Sequence, residues 1–334
     1  MKAYEIVSAD GIDALHLAER ATPAPGPGQV LVRARASSLN YRDLMTVKDP
    51  GPRNIPYPRI PNSDGAGEVL ALGAGVTRFA VGDRVAGCFF QRWQAGEVSA
   101  DGMASALGGA LDGVLAEEAV LAEGGLVKVP EHLSFEEAAT LPCAALTAWH
   151  ALFPKGGLTA GETVLVLGTG GVSIFALQFA IMAGARAIVT SKSAEKLARA
   201  RELGAWRTIN YAETPDWDQS VLELTGGRGV DHVVEVGGAG TLERSIRATR
   251  VAGHIALIGV LTGGQINPTL LMRNSIRLHG IYVGSRAMFE DMNRAIATAE
   301  FHPVIDRSFA FAEAPAAFHH LDSAAHFGKV VVGV

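Results

Sequence analysis

Cysteine is nearly absent: the 334 residues contain two, Cys88 and Cys143. Two cannot build a disulfide framework or a four-cysteine zinc site. Long apolar runs are missing as well, so no membrane span is predicted. The opening stretch, Met1-Lys2-Ala3-Tyr4-Glu5, lacks the apolar core of a secretory signal, and a cytoplasmic location is expected. No charge sign dominates, with 29 Lys and Arg against 34 Asp and Glu. A formal net charge of -5 gives no global attraction to nucleic acid or to an anionic membrane, and neither is expected as a partner. There is no long low-complexity segment. What is abundant is apolar material, 48% of residues, enough for two packed cores in a chain this long. Glycine is also frequent, at 39 residues, which points to tight turns and close backbone approaches.

Two textures alternate along the chain. Up to about Gly125, short apolar runs such as Gln29–Arg35 and Gly65–Leu72 are broken by Gly and Pro, which predicts a curled, β-rich domain. From about residue 126 to 286 the pattern changes. Thr163–Leu167, Arg186–Thr190, Asp231–Val236, His254–Gly259 and Ile276–Ile281 read as apolar strands. Helical stretches such as Val172–Ala183 and Ala194–Leu203 separate them. That alternation predicts a parallel, doubly wound α/β sheet. A helix around Phe289–Glu300 follows, then β-like sequence ending in Lys329–Val334. The tail is expected to rejoin the first domain, giving one domain of residues 1–125 and 287–334 with another, 126–286, inserted in it.

The strand Thr163–Leu167 runs into Gly168-Thr169-Gly170-Gly171-Val172-Ser173. A glycine turn between a strand and a helix is the arrangement a dinucleotide pyrophosphate requires. Gly168 allows the turn, Gly170 lets the backbone approach the phosphates, and the helix N-terminus offers free N–H groups. Ser173 replaces the usual third glycine with another small residue. The end of the second strand separates NADH from NADPH, because an acid there binds free ribose hydroxyls. Here it reads Thr190-Ser191-Lys192-Ser193-Ala194-Glu195-Lys196. Ser191 stands where the acid is expected, and hydroxyls with Lys192 and Lys196 suit a phosphate. Tyr211 follows the third apolar run and is placed to reach the same group. NADPH is therefore the expected cofactor.

An ordered set of segments carries a family resemblance from end to end. It comprises Pro25–Val32, Leu39-Asn40-Tyr41-Arg42-Asp43, Asp64–Val69, Val81–Val85, Leu141–Ala148, the glycine turn and Leu203-Gly204-Ala205. The chain resembles a medium-chain dehydrogenase/reductase of the zinc-free quinone oxidoreductase branch, similar to zeta-crystallin. The resemblance implies a Rossmann domain inserted in a GroES-like β-barrel catalytic domain, an active cleft between the two, and a homodimer. Ile255–Ile258 and Arg277–Tyr282 are the candidate edge strands for the dimer contact.

In the zinc-bearing relatives the catalytic metal is held by a cysteine, a histidine and a later cysteine. The resemblance puts Asn40, Ser63 and Cys143 at those positions, and Asn and Ser are poor Zn²⁺ ligands. Phe89–Ala110, where the structural zinc lobe belongs, contains no cysteine. No metal is expected. His319, His320 and His326 lack supporting acidic ligands and read as surface residues. Without a Lewis acid, alcohol oxidation loses its alkoxide stabiliser, whereas a quinone or an α,β-unsaturated carbonyl accepts hydride directly. The resemblance makes Asn40 the hydrogen-bond donor to the acceptor and Thr147 a contact of the nicotinamide. Tyr41 and Tyr57 are candidate proton sources or ordinary barrel tyrosines. Gly237, Gly259, Val260, Val283, Gly284 and Lys329 are expected around the cofactor, Lys329 alternatively as a solvated strand start. Two alternatives stand beside the quinone or enone reductase. One is an enoyl-thioester reductase of the acryloyl-CoA kind, using Arg42, Arg53, Arg59 or Arg92 for the CoA phosphates. The other is a low-turnover NADPH-binding protein.

Overall fold

The computed structural model describes all residues from Met1 to Val334. The first seven strands are β1 (Lys2–Glu5), β2 (His16–Glu19), β3 (Gln29–Leu39), β4 (Asp64–Leu72), β5 (Arg84–Gly87), β6 (Glu118–Ala122) and β7 (Leu126–Lys128). Six follow in alternation with helices: β8 (Thr163–Leu167), β9 (Arg186–Ser191), β10 (Arg207–Asn210), β11 (Val230–Glu235), β12 (Thr249–Leu257) and β13 (Arg277–Gly280). The last two are β14 (Ile305–Ala310) and β15 (Lys329–Gly333). The chain divides into two compact units, one of Met1–Leu146 with Val283–Val334, the other of Thr147–Tyr282.

The first unit is a curled sheet in the order β14-β15-β3-β4-β5-β7, with β6 also paired to β3. Its centre is β3, whose eleven residues alternate around a core of Val30, Val32, Val69, Val85, Leu121 and Leu126. The C-terminal strand β15 runs antiparallel to β3, with Val330 opposite Leu39, so the two ends of the chain share one sheet. A second apolar cluster, including Leu39, Leu44, Val47, Phe318, Val330 and Val332, fastens the helices Tyr41–Lys48 and Ala314–Asp322 to this junction.

The second unit is a six-stranded parallel sheet in the order β10-β9-β8-β11-β12-β13. Every residue of the central strands β8 and β11 is buried, as a sheet covered by helices on both faces demands. The strand order reverses between β8 and β11, where doubly wound sheets place their ligands. Mixed α/β architecture with a Rossmann sheet and a GroES-like unit is thus the fold.

Two expectations need correction. The border falls at Leu146 and Tyr282 instead of 125 and 286. The reason is that β7 pairs with β5, and the N–H of Cys143 bonds a carboxylate on β4, so residues 126–146 stay with the first sheet. Ile255–Ile258 is not an edge either, because β12 lies between β11 and β13; Arg277–Gly280 does form the edge. No helix is long and apolar enough to cross a membrane.

At Gly67, β3 leaves no room for a side chain on β4. A Cβ there would lie 1.9 Å from the Arg33 carbonyl oxygen, beside a register shift in the pairing. Gly67→Ala is expected to lower stability by roughly 3 kcal/mol, the upper end of overpacking costs, readable as an earlier denaturant midpoint.

Candidate active site

In the first unit the site grows from the end of β3. Asn40 follows that strand and caps the helix Tyr41–Lys48, a position that favours Asn. Its N–H donates to Asp43 Oδ2 at 2.9 Å. Asp43 is fully buried and takes a further bond from Arg42 at 3.2 Å. Arg42 also donates to the Leu107 carbonyl at 2.5 Å and lies over the Phe89 ring. Asn40 is thereby fixed at its backbone.

Its side chain is fixed by Lys329. This lysine is the first residue of β15 and only 2% exposed, so it is not a solvated strand start. Nζ donates to the Leu39 carbonyl and to Asn40 Oδ1, each at 2.6 Å. An ammonium has no acceptor, so the amide atom facing it is the oxygen, and Nδ2 points the other way. Nδ2 lies 3.5 Å from Ser63 Oγ. Ser63 donates to Asp64 Oδ1 at 2.6 Å, and the Cys143 N–H donates to Asp64 Oδ2 at 3.0 Å. Every donor in the chain Lys329, Asn40, Ser63, Asp64 thus runs one way, from a buried cation to a buried anion. Burial raises the Asp64 carboxyl to about 6, with the Lys329 charge partly opposing the rise. Burial pushes the Lys329 ammonium down.

This donor set does not fit Zn²⁺. The Asn40 oxygen is taken by an ammonium. The Ser63 hydroxyl is engaged as a donor. Burial and the Asp64 charge hold the Cys143 thiol above its ordinary range, and one cysteine alone is too few ligands for the ion. Burial likewise pushes the Cys88 thiol up to about 12. Tyr41 and Tyr57 are both about half exposed, at 54% and 47%.

The second unit presents the cofactor side. Gly168 adopts φ +73, the conformation the tight turn needs. Its N–H bonds the Thr190 carbonyl at 2.9 Å, joining the turn to the end of β9. The helix Gly171–Met182 then begins at Gly170 with no side chain capping it, which leaves its first N–H groups for a ligand. Ser173, in the third glycine's place, donates to the Leu167 carbonyl at 2.7 Å and so fastens helix to strand. Ser191 ends β9, and its oxygen accepts from the Ser193 N–H at 3.2 Å. Ser193 caps the next helix by accepting from Lys196 N. The Tyr211 N–H donates to the Ser191 carbonyl at 3.2 Å. The structure therefore gathers Ser191, Lys192, Ser193, Lys196 and Tyr211 at one corner.

The loops beyond β11 depend on Glu235, which the sequence reading missed. This carboxylate is fully buried. Its Oε1 accepts from Gly237 N at 2.7 Å, Gly238 N at 3.1 Å and Thr241 Oγ1 at 2.6 Å, and its other oxygen accepts from Ser245. Thr262 ties the next loop down, accepting from Gly240 N at 2.8 Å and donating to the Gly237 carbonyl at 3.0 Å. A Cβ at Gly259 would sit 1.8 Å from the Val236 oxygen, so the residue there must be glycine. Val260 is exposed on this loop, and Thr147 is buried on the helix Leu146–Leu152. Val283 holds φ +57, a strained conformation for a β-branched side chain; Gly284 beside it leaves room for Leu146. The spacing of Asn40 and Asp43 was a helix-start signal available in the sequence. Glu235 gave none, because its partners are turn amides.

A glycine turn on a parallel sheet and a buried polar site on a curled sheet are the arrangement of a two-domain oxidoreductase fold. Family models agree: an alcohol dehydrogenase GroES-like domain matches residues 26–131 and a zinc-binding dehydrogenase domain residues 171–298. A zinc-type alcohol dehydrogenase-like protein of Schizosaccharomyces pombe is 44% identical, over 97% of this chain and 96% of its own. A quinone oxidoreductase of Pseudomonas aeruginosa is 32% identical over 99% of both. Among solved structures, an NAD-dependent alcohol dehydrogenase superposes with TM-score 0.91 at 35% identity, covering all of both chains. A mycobacterial protein complexed with NADPH gives 0.84 at 28%, again over all of both. The chain belongs to the medium-chain dehydrogenase/reductase family and is an oxidoreductase of that family.

The raised Asp64 value has a signed consequence. A carboxyl held above its ordinary range favours the neutral form in the fold. Its contribution to stability is full below about pH 4 and is lost as pH rises through about 6. Asp64→Asn is expected to abolish that loss. The stability of the variant relative to the parent should rise by roughly 3 kcal/mol from pH 4 to 7.5, measured by urea unfolding at both. A pH-independent difference would remove Asp64 as the titrating group.

Proposed function

We propose that this chain is a zinc-free, NADPH-dependent reductase of conjugated carbonyl acceptors, a quinone or an α,β-unsaturated ketone or aldehyde. The observation that carries the reading is Lys329 Nζ on Asn40 Oδ1 at 2.6 Å: a buried ammonium engages the amide that the resemblance puts at a metal-ligand position. NADPH, when bound, supplies hydride from nicotinamide C4. The glycine turn from Gly168 to Val172 and the free helix N-terminus hold its pyrophosphate. Ser191, Lys192, Ser193, Lys196 and Tyr211 hold the ribose phosphate. Gly237, Gly259, Val260, Val283 and Gly284 shape the nicotinamide end, with Thr147 against its ribose. Asn40 Nδ2 donates to the acceptor oxygen as negative charge develops there. Tyr41 is the candidate proton source. Its exposure means that solvent can serve instead. In the dimer reading, the edge strand β13 is where a second copy would pair.

Solved relatives use both cofactors, and what favours NADPH here is the absence of an acid at the end of β9. The thioester alternative is weaker. CoA phosphates need available cations, but Arg59 bonds Asp112, Arg92 bonds Asp101, and Arg42 bonds Asp43 and Leu107. Only Arg53, exposed at the end of the short 3-10 helix Gly51–Arg53, retains no such engagement among the four.

Purified protein is expected to consume NADPH with 1,4-quinones and enones and to leave simple alcohols with NADP⁺ unchanged. No turnover on any acceptor, with tight NADPH binding, would favour the non-catalytic reading. Ser191→Asp is expected to raise the KM for NADPH roughly 10- to 100-fold and that for NADH little, as a carboxylate repels the 2′-phosphate. Asn40→Ala should lower kcat about 100-fold, the cost of one oxyanion donor.

A further inference from the structure

We propose that Lys329 is a positioning residue that acts through Asn40, serving as the fixed positive charge of the acceptor site. The inference rests on the reading of Asn40 as the donor to the acceptor oxygen. Three observations carry it. The ammonium contacts the amide oxygen directly and is almost completely buried, so water neither screens nor replaces it. The contact settles the orientation of the amide, since a flip would set Nδ2 against an ammonium with no acceptor. On that side Nδ2 meets Ser63 at a long 3.5 Å and the Asp64 carboxyl; an NH₂ carries two donors, and the second N–H is the one assigned to the acceptor.

A cation on the carbonyl oxygen of an amide draws electron density from nitrogen and strengthens the N–H donors. The field therefore reaches the acceptor oxygen through the amide, without a ligand bond to the substrate. No carboxylate touches it in a salt bridge: Asp64 and Asp43 act on Lys329 through space, while their hydrogen bonds go to Ser63 and Cys143 N, and to Asn40 N and Arg42. The β3–β15 register holds the charge in place, setting Val330 opposite Leu39 and hence Lys329 beside Asn40.

The test is a double-mutant cycle on the full chain, with NADPH and one quinone or enone. Lys329→Met should lower kcat roughly 10- to 50-fold while the KM for the acceptor and the Kd for NADPH, read by its fluorescence, change less than about 3-fold. In the Asn40→Ala background the same substitution should change kcat less than about 2-fold, because the path to the acceptor is already cut. A purely structural role would give the same loss in both backgrounds, or a shift in Kd, and either result overturns the proposal. If Lys329→Met does not fold, the neutral pair Lys329→Met with Asp64→Asn replaces it, so that neither buried charge is orphaned. In that neutral background, Asn40→Ala should cost several-fold less than in the parent, and an undiminished cost overturns the proposal. If Asn40→Ala alone leaves kcat unchanged, the donor reading itself fails, an outcome distinct from Lys329→Met being silent while Asn40→Ala is slow.

Discussion

The bond from Lys329 Nζ to the Leu39 and Asn40 oxygens is the constraint around which the first unit is built. It joins residues 290 and 289 positions apart. An ammonium removed from water costs several kcal/mol unless its protons find acceptors. Here two are supplied by the end of β3. That requirement fixes how far β15 slides along β3, and so how the C-terminal segment returns to the first sheet. Gly328, at φ +81 and with no room for a Cβ against the Val304 oxygen, turns the chain into that register. The same contact aims the amide of Asn40. Closure of the fold and orientation of the donor therefore follow from one interaction.

The second unit uses a buried charge of the other sign in the same way. Glu235 ends β11 and collects two turn amides and two hydroxyls. A carboxylate satisfied by backbone N–H groups at the start of the helix Ala239–Ala248 also meets the positive end of the helix dipole. Thr262 then couples the following loop to this turn. Loops held by charge-assisted bonds reorganise little when a ligand arrives, and that is what preorganisation requires.

These two anchors show where sequence reasoning ends. The strands of the parallel sheet were readable because buried strands are uninterrupted apolar runs, and the glycine turn because its chemistry is local. Ser191 and Lys196 are proposed as phosphate contacts for the same reason: they stand at fixed distances from the turn. Lys329 carried two readings, solvated or site-forming, because its burial depends on a strand almost 300 residues away. The domain border moved because β7 and the π-helical turn Leu141–Ala145 carry no compositional mark of belonging to the first sheet. Strand order has no local signature, so Ile255–Ile258 looked as much like an edge as Arg277–Gly280 did.

In the proposed zinc-free site, the group standing in for a metal sets the chemistry that remains. A divalent ion bound to an oxygen stabilises a localised alkoxide by direct contact. A single positive charge acting through an amide gives a weaker and more distant field. The proposed acceptors need no more than that. Hydride addition to an enone or a quinone leaves an enolate or a hydroquinone anion, whose charge is spread over a conjugated system and is intrinsically easier to hold than an alkoxide. One oriented N–H donor, strengthened by a fixed cation and protected from water, is matched to that demand. It also leaves an isolated carbonyl or alcohol without adequate help, so the selectivity for conjugated acceptors would reside in the strength of the electrostatics behind Asn40 as well as in the shape of the surrounding loops.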